Sequence, residues 1–218
     1  MADVTAATVR GRFITIEGIE GVGKSTNLAF LESLIRQQGI EPVLTREPGG
    51  TASGERIREL LLAHGDDRIS PETELLLFFA ARALNLDNVI RPALKAAQWV
   101  LCDRFTDASR AYQGAGRGVS GDRIEALATW VHAGTEPDLT LLFDAPVAVG
   151  LARAADRGET DRMESERAEF FERVRAAYLD LARSEPERIR VIDASRSLAD
   201  VQQQVAAAVT PFFSDKQD

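Results

Sequence analysis

Short apolar runs alternate along the chain with longer stretches in which apolar residues recur every three or four positions. The short runs are typical of buried strands, and the longer ones have the period of amphipathic helices. The pattern predicts five strands, at Phe13–Glu17, Pro42–Thr45, Trp99–Cys102, Leu139–Phe143 and Ile189–Ile192. It predicts helices at Thr26–Gln38, Ala52–Ala63, Glu72–Leu86, Asn88–Ala97, Asp122–His132, Val147–Ala155, Glu164–Ser184 and Leu198–Ala208. Strands separated by helices predict an α/β fold with a parallel sheet covered on both faces.

Composition narrows the class of protein. No Pro/Gly/Ser-rich linker divides the 218 residues, so we expect one domain over residues 1–218. A formal net charge of −8 speaks against general nucleic-acid binding, which needs a basic face. No run approaches the roughly 18 apolar residues of a membrane span, and Met1 to Gly11 contains no apolar signal segment, so we expect a cytoplasmic protein without a membrane partner. Cys102, the single cysteine, excludes an internal disulfide and a multi-cysteine metal site.

A glycine-rich loop directly follows the first predicted strand and opens the first predicted helix. Its sequence, Gly-Ile-Glu-Gly-Val-Gly-Lys-Ser, fits the phosphate-binding pattern G-x-x-x-x-G-K-[ST] in its proper context. Backbone amides and the helix N-terminus favour phosphate there, Lys24 would reach the β- and γ-phosphates, and Ser25 would ligate Mg²⁺. The segment therefore predicts a nucleoside triphosphate site formed by Gly18, Ile19, Glu20, Gly21, Val22, Gly23, Lys24, Ser25 and Thr26.

Charged or glycine-rich segments also follow the next three predicted strands. Because the carboxyl ends of parallel strands meet at one edge of a sheet, these segments should form one ligand-binding rim. Asp103 ends an apolar strand, as does the carboxylate that supports Mg²⁺ in other phosphate-loop proteins, and Asp144 offers an alternative. We favour Asp103 because Arg104 beside it supplies a cation for a phosphate. Asp144 precedes a proline and a helix, which favours a cap or loop role.

The absence of both an Asn-Lys-x-Asp motif and an Asp-x-x-Gly motif argues against a GTPase. A short phosphate-loop protein with a second polar rim is typical of a kinase that phosphorylates a small molecule. Alternatives are a kinase for a different acceptor (dUMP, a deoxynucleoside or a coenzyme precursor), a nucleotide-dependent switch or partition protein, and an inactive structural homologue.

Three segments beyond the phosphate loop carry a resemblance to a known family. Arg46–Thr51 reads Arg-Glu-Pro-Gly-Gly-Thr, Asp103 begins Asp-Arg-Phe, and Ala111–Gly118 reads Ala-Tyr-Gln-Gly-Ala-Gly-Arg-Gly. In order and spacing these resemble the signature segments of the thymidylate kinase family, over essentially the whole chain. The resemblance implies transfer of the ATP γ-phosphoryl group to dTMP, giving dTDP and ADP. It also implies the phosphate-loop nucleoside monophosphate kinase fold, with a five-stranded parallel sheet, a lid at about residues 150–166 and a homodimer.

The resemblance further implies an acceptor site. Arginines at positions 46 and 104 would hold the dTMP phosphate, Phe78 would stack on thymine, and Arg82 would bind the base edge. By its own neighbours Phe78 would be assigned to the core, and only the family places it in the site. Tyr112 would pack under the deoxyribose, where a 2′-hydroxyl would clash. The full set of implied substrate-binding residues is Arg46, Glu47, Phe78, Arg82, Arg104, Ser109, Tyr112 and Gln113.

For catalysis, the family takes an arginine from either the phosphate loop or the lid. The loop here contains none, so the lid should supply it, with Arg153 the first choice and Arg157 and Arg162 next. A solvated helix with ion pairs, such as Arg162 with Glu166, is the alternative for some of these arginines. Glu20 should act on the acceptor side, near the sugar 3′-hydroxyl or the metal. The expected catalytic set is Lys24, Arg153, Glu20 and Arg104.

Overall fold

A five-stranded sheet in the order β2-β3-β1-β4-β5 forms the centre of the computed structural model, and every neighbouring pair of strands is parallel. The structure describes residues 11–63, 69–155, 162–163 and 166–214. The strands are β1 (Phe13–Glu17), β2 (Val43–Arg46), β3 (Val100–Asp103), β4 (Leu139–Asp144) and β5 (Ile189–Asp193). All five predicted strands are confirmed. β2 and β3 are displaced by one residue, and β4 and β5 extend one residue further, so that Asp103, Asp144 and Asp193 end their strands.

Helices cover the sheet on both faces. They are α1 (Lys24–Gln37), α2 (Ala52–Leu62), α3 (Pro71–Asn85), α4 (Arg91–Lys95), α5 (Thr106–Ser109), α6 (Gly121–His132), α7 (Val147–Ala155), α8 (Ala168–Ser184), α9 (Leu198–Val209) and α10 (Pro211–Ser214). A π-helical turn, Leu86–Ile90, joins α3 to α4 without a break. The predicted helix at Glu164–Ser184 begins later, at Ala168.

Sequence analysis predicts no helix where α5 continues as a π-helical turn, Arg110–Gly116. Its glycines interrupt the three-to-four-residue spacing of apolar side chains by which a helix is predicted. Packing against α8 explains one of them, because a Cβ on Gly116 would lie 2.6 Å from a ring carbon of Phe170. A larger residue would therefore push α8 away from the segment that carries Tyr112 and Gln113.

The strand order places the ends of β3 and β4 on either side of the end of β1. In the register of the sheet, Ile16 of β1 pairs with Asp103 of β3 and with Leu141 of β4. The connection after β1 leads to β2 on one side, and the connection after the neighbouring β3 leads to β4 on the other side. Open α/β sheets bind ligands where the connections of two neighbouring strands diverge in this way. The loop after β1 and the residues after β3 therefore share one crevice.

Part of the predicted lid lies outside the described residues. Helix α7 covers its first residues, and Arg162 and Met163 are described, whereas Arg157 lies in a stretch that is not. Among the helices that are described, none is long and apolar enough to cross a membrane.

Candidate active site

A cavity of about 530 Å³ opens at the crevice. Its lining comes from the phosphate loop and the start of α1, from the segment after β2, from α2 and α3, from the residues after β3, and from both ends of the lid. The lining residues that bear on function are Glu20, Gly21, Gly23, Lys24, Ser25, Thr26, Glu47, Pro48, Arg58, Phe78, Asp103, Arg104, Ala108, Tyr112, Gln113, Arg153 and Met163. One space therefore connects the predicted triphosphate site with the predicted acceptor site.

The phosphate loop is held close to α7 by backbone contact. Gly21 has φ 72°, and a Cβ there would lie 1.8 Å from the carbonyl oxygen of Gly150. Ile19 and Val22 bury their side chains in the core, 3% and 2% exposed, so only their backbone can face a phosphate. The loop conformation thus depends on glycine both for its φ angles and for the close approach of α7.

Lys24 curls back over this loop. Its Nζ donates to the carbonyl oxygens of Gly18 at 2.9 Å and Ile19 at 2.7 Å. Burial, together with the nearby Arg104 guanidinium, lowers the pKa of Lys24 to about 8. A phosphate in the loop would give the ammonium group a stronger partner than two carbonyls, because a phosphate carries a full opposite charge.

Asp103 and Asp144 lie in different environments. Asp144 accepts a bidentate pair from Arg175, with Nε and Nη2 at 2.7 and 2.9 Å. Asp103 lines the cavity, and its Oδ1 is buried with no hydrogen-bond partner in the described part of the chain. A buried carboxylate oxygen without a donor is costly unless a ligand satisfies it, so this geometry favours Asp103 over Asp144.

The oxygens of Asp103 and Ser25 fit Mg²⁺, a hard cation that prefers oxygen ligands and is commonly held by one or two protein groups plus substrate phosphates. Ser25 is exposed at the start of α1, on the cavity, with Asp103 in the same lining. Within the described ranges no group of three or more His, Cys, Asp or Glu side chains could hold a metal unaided. Such a site would therefore be completed by the nucleotide.

Glu20, Arg104 and Tyr112 form a hydrogen-bonded cluster inside the cavity. Glu20 accepts from Arg104 Nη2 at 2.8 Å and from the Tyr112 hydroxyl at 2.7 Å. Arg104 also lies over the Tyr112 ring at 4.8 Å and has a positive φ of 70°. An acidic side chain in a phosphate loop would by itself repel a phosphate. Here the charge of Glu20 is balanced by Arg104, the arginine that would bind the phosphate.

A second carboxylate, Glu17, supports this cluster from below. It accepts from the backbone amide of Phe105 at 2.7 Å and from the Tyr178 hydroxyl at 2.7 Å, and that hydroxyl accepts from Arg104 Nη1 at 3.2 Å. Burial raises the pKa of Glu17 to about 7. Sequence analysis missed both Glu17 and Tyr178. The acid at the end of an apolar strand was the available signal for Glu17, whereas nothing local marks Tyr178.

The residues that the family resemblance assigns to the base edge form another buried group. Arg82, 1% exposed, donates from Nε to Glu47 at 2.6 Å and from Nη2 to Ser109 at 3.2 Å. Its Nη1 is buried and has no partner among the described residues. Burial is the largest influence on the pKa of Glu47 and raises it, against the opposing effect of Arg82. The structure thus brings Glu47, Arg82 and Ser109 together, with one donor left unused.

Phe78, Tyr112 and Gln113 form the apolar and amide wall of the cavity. Phe78 is 8% exposed and lines this space, which its apolar neighbours along the chain would not suggest. Burial raises the pKa of the Tyr112 hydroxyl well above its ordinary value. The hydroxyl therefore stays neutral and donates to Glu20.

The two candidate phosphate-binding arginines of the acceptor differ in position. Arg104 lines the cavity, whereas Arg46 is paired at the surface with Glu55, with Nε and Nη2 at 3.2 and 2.7 Å from its carboxylate oxygens. Arg58 on α2 lines the cavity and donates to the carbonyl oxygen of Pro48 at 3.0 Å. Sequence analysis missed Arg58, because an arginine on an amphipathic helix gives no signal of its own.

The candidate lid arginines are also separated. Arg153 is exposed, lines the cavity and donates to the carbonyl oxygen of Ala194 at 3.1 Å. Arg162 donates to Leu61 O at 2.8 Å and pairs with Glu74 at 2.7 Å, while Glu166 accepts from Arg117. Arg153 therefore has the geometry to reach a nucleotide, and Arg162 contacts α2 and α3.

The fold and the site together define a phosphate-loop nucleoside monophosphate kinase: a five-stranded parallel sheet, a phosphate loop after β1 and an acceptor pocket in the same cavity. The thymidylate kinase family model matches residues 16–205. The chain belongs to the thymidylate kinase family.

Individual relatives agree over nearly the full length. The chain is 59% identical to a thymidylate kinase of Pseudomonas syringae pv. tomato, covering 88% of this chain and 91% of the relative. It is 56% identical to one of Nitrosomonas europaea, covering 96% and 97%. The crystal structure of a thymidylate kinase from Ehrlichia chaffeensis superposes with a TM-score of 0.73 at 35% identity, covering 92% of this chain and 99% of that one.

Proposed function

We propose that the chain catalyses ATP-dependent phosphorylation of dTMP to dTDP, by in-line transfer of the ATP γ-phosphoryl group to the dTMP phosphate. The activity follows from membership of the family, which the chain matches over residues 16–205. The observation that carries the mechanism is the single cavity. Lys24 and Ser25 line one end, and Phe78, Tyr112 and Gln113 line the other. Two nucleotides bound there would meet phosphate to phosphate.

The donor end supplies charge and fixed dipoles. Backbone amides from Gly18 to Ser25 would hold the ATP phosphates, and Lys24 would leave its two carbonyl partners for the β- and γ-phosphates. Ser25 and Asp103 are the residues that would hold Mg²⁺ with the nucleotide. When bound, Mg²⁺ would neutralise part of the phosphate charge.

The acceptor end positions dTMP and needs no strong base, because its phosphate oxygen is already a nucleophile at neutral pH. Arg104, fixed by Glu20 and Tyr178, would bind that phosphate, with Arg46 or Arg58 as a further cation. Phe78 would stack on the base. Tyr112 would occupy the space of a ribose 2′-hydroxyl. Catalysis then consists of orientation and charge neutralisation.

A lid cation completes the charge balance. Arg153 is the candidate whose side chain lines the cavity within the described part of the lid. It would act on the γ-phosphoryl group as charge develops during transfer.

The remaining features are an oligomeric state and a location. A homodimer is supported by large apolar side chains on neighbouring helices that are exposed in one copy: Trp130 on α6 is 79% exposed, Leu76 on α3 57%, and Leu60 on α2 56%. Exposed apolar surface of this kind commonly marks a protein interface. A cytoplasmic location stays a prediction of the sequence.

A coupled ADP-release assay across nucleoside monophosphates tests the function. With ATP and Mg²⁺, dTMP should be the best acceptor and UMP a poor one. Equal rates with dTMP and UMP would contradict the proposal, and slow ATP hydrolysis unaffected by dTMP would indicate a nucleotide-dependent switch instead.

A further inference from the structure

Glu74 is a buried carboxylate on α3 that the mechanism above does not use. Its side chain is 1% exposed. It accepts from Gln113 Nε2 at 2.9 Å, from Arg117 Nε at 3.3 Å and from Arg162 Nη2 at 2.7 Å. These donors come from the acceptor wall, from the residue after the π-helical turn, and from the end of the lid segment. Glu74 therefore joins the base pocket to two arginines that compensate its charge.

The carboxylate dictates which way the Gln113 amide is turned. A side-chain amide has a donor end, Nε2, and an acceptor end, Oε1, whereas a carboxylate only accepts. The atom of Gln113 that faces Glu74 must therefore be Nε2. No rotation of the amide by 180° is compatible with this partner, because it would bring Oε1 against a carboxylate oxygen.

The opposite end of the amide is then the one left for a ligand. Gln113 lines the cavity, and its Oε1 accepts no hydrogen bond from the described residues. Arg82 contributes a hydrogen-bond donor to complement this acceptor oxygen, because its Nη1 is buried and has no partner among the described residues. Glu74, Phe78 and Arg82 follow one another at intervals of four residues and so share a face of α3.

We infer that Glu74 is a specificity-determining positioning residue: it fixes Gln113 with its carbonyl oxygen toward the base, so that the pocket selects a pyrimidine carrying an N–H donor at ring position N3. Thymine and uracil carry that donor beside a carbonyl at C4. Cytosine presents the reverse, an acceptor at N3 beside an amino group. The inference rests on the proposed function, since it assumes that the base of dTMP lies against Gln113.

The test compares dTMP with 5-methyl-dCMP, which differ only at the N3–C4 edge. The ratio of their kcat/KM values, and of their Kd values by calorimetry without ATP, is measured for the whole chain and for Glu74→Gln. In that variant the amide at position 74 offers one oxygen, which an arginine would take, and its NH₂ group would face Gln113. The Gln113 amide should then turn over, and the dTMP preference should fall by about tenfold or more, a hydrogen-bond effect of ordinary size.

Two further variants separate orientation from stability. Glu74→Asp keeps the charge that balances the arginines, so it provides a folded variant if Glu74→Gln does not fold. The shorter side chain withdraws the carboxylate from Gln113, and the preference for dTMP over 5-methyl-dCMP should therefore fall in this variant too. Arg117→Gln removes the ion pairs of Arg117 with Glu74 and Glu166 while leaving the Glu74–Gln113 contact, and should lower the melting temperature without changing the ratio. In a Gln113→Leu background, Glu74→Gln should have no additional effect on the ratio.

If a folded Glu74 variant keeps the same preference for dTMP over 5-methyl-dCMP, the inference is overturned. It is also overturned if Glu74→Gln changes that preference in the Gln113→Leu background. Failure of the proposed function gives a different result. In that case the unaltered chain itself would not phosphorylate dTMP or would not prefer it to 5-methyl-dCMP.

Discussion

The donor and acceptor ends of the cavity are built on different physical principles. Most of the donor end comes from one contiguous segment, Gly18 to Thr26, whose backbone amides and single lysine present positive charge at a helix N-terminus. The acceptor end is assembled from side chains of β1, the phosphate loop, the segments that follow β2 and β3, α3 and α8, which hold one another by hydrogen bonds. The donor end therefore recognises charge, which many nucleotides share, and the acceptor end can recognise one molecule.

The largest effect is expected from substitution of Lys24 at the donor end. Lys24→Ala should lower kcat by about 10²–10³-fold, the usual effect of deleting a preorganised transition-state charge, while the fold persists because Lys24 contributes little packing. Lys95→Ala, an exposed lysine on α4, is the matched control and should have normal rates. Near-normal turnover in folded Lys24→Ala protein would contradict the donor-end mechanism.

Substitutions in the lid and at the acceptor end should affect different quantities, kcat in the first case and dTMP affinity in the second. Arg153→Ala should reduce kcat by about 10²-fold with little change in dTMP affinity, because its interaction is made mainly in the transition state. Arg104→Ala should instead weaken dTMP binding measured directly, since Arg104 would hold the phosphate in the ground state too. If Arg153→Ala keeps full kcat, Arg157 and Arg162 become the variants to measure.

Substitutions of Arg58 and Arg46 test which further cation binds dTMP at the acceptor end. Arg58→Ala should weaken dTMP binding by about tenfold or more, within the range for a hydrogen bond to a charged group. Arg46→Ala should have a smaller effect, because its guanidinium is already paired with Glu55. Calorimetric titration with dTMP ranks the two. A larger loss in Arg46→Ala would mean that Glu55 releases Arg46 when dTMP binds.

Backbone contact at the donor end provides the smallest effect. A Cβ on Gly150 would lie 2.6 Å from the carbonyl oxygen of Glu20. Gly150→Ala should displace the phosphate loop and raise KM for ATP by about tenfold, as overpacking by 1–3 kcal/mol would, with less change in dTMP affinity. Gly121→Ala is the control, because a Cβ there meets no atom within 4 Å. Equal KM values for the two variants would exclude this coupling.

Local sequence patterns were sufficient to predict the parts of the molecule that neighbouring residues encode. Alternating apolar runs predicted all five strands and the parallel sheet, and the glycine loop with Lys24 predicted the triphosphate site, because a contiguous segment carries its own geometry. The acceptor residues were named through family resemblance, and on local pattern alone Phe78 would have been placed in the core.

The surroundings of the individual charged side chains depend on contacts that only folding creates. Asp103 keeps an oxygen without a partner while Asp144 is paired with Arg175, and Arg58 lines the cavity while Arg46 pairs with Glu55. The tertiary structure also revealed Glu17, Glu74 and Tyr178, whose partners lie 39 to 161 positions away along the chain. Propensity and periodicity describe neighbours along the sequence, whereas a buried polar side chain is defined by the donors and acceptors that folding brings to it from other elements.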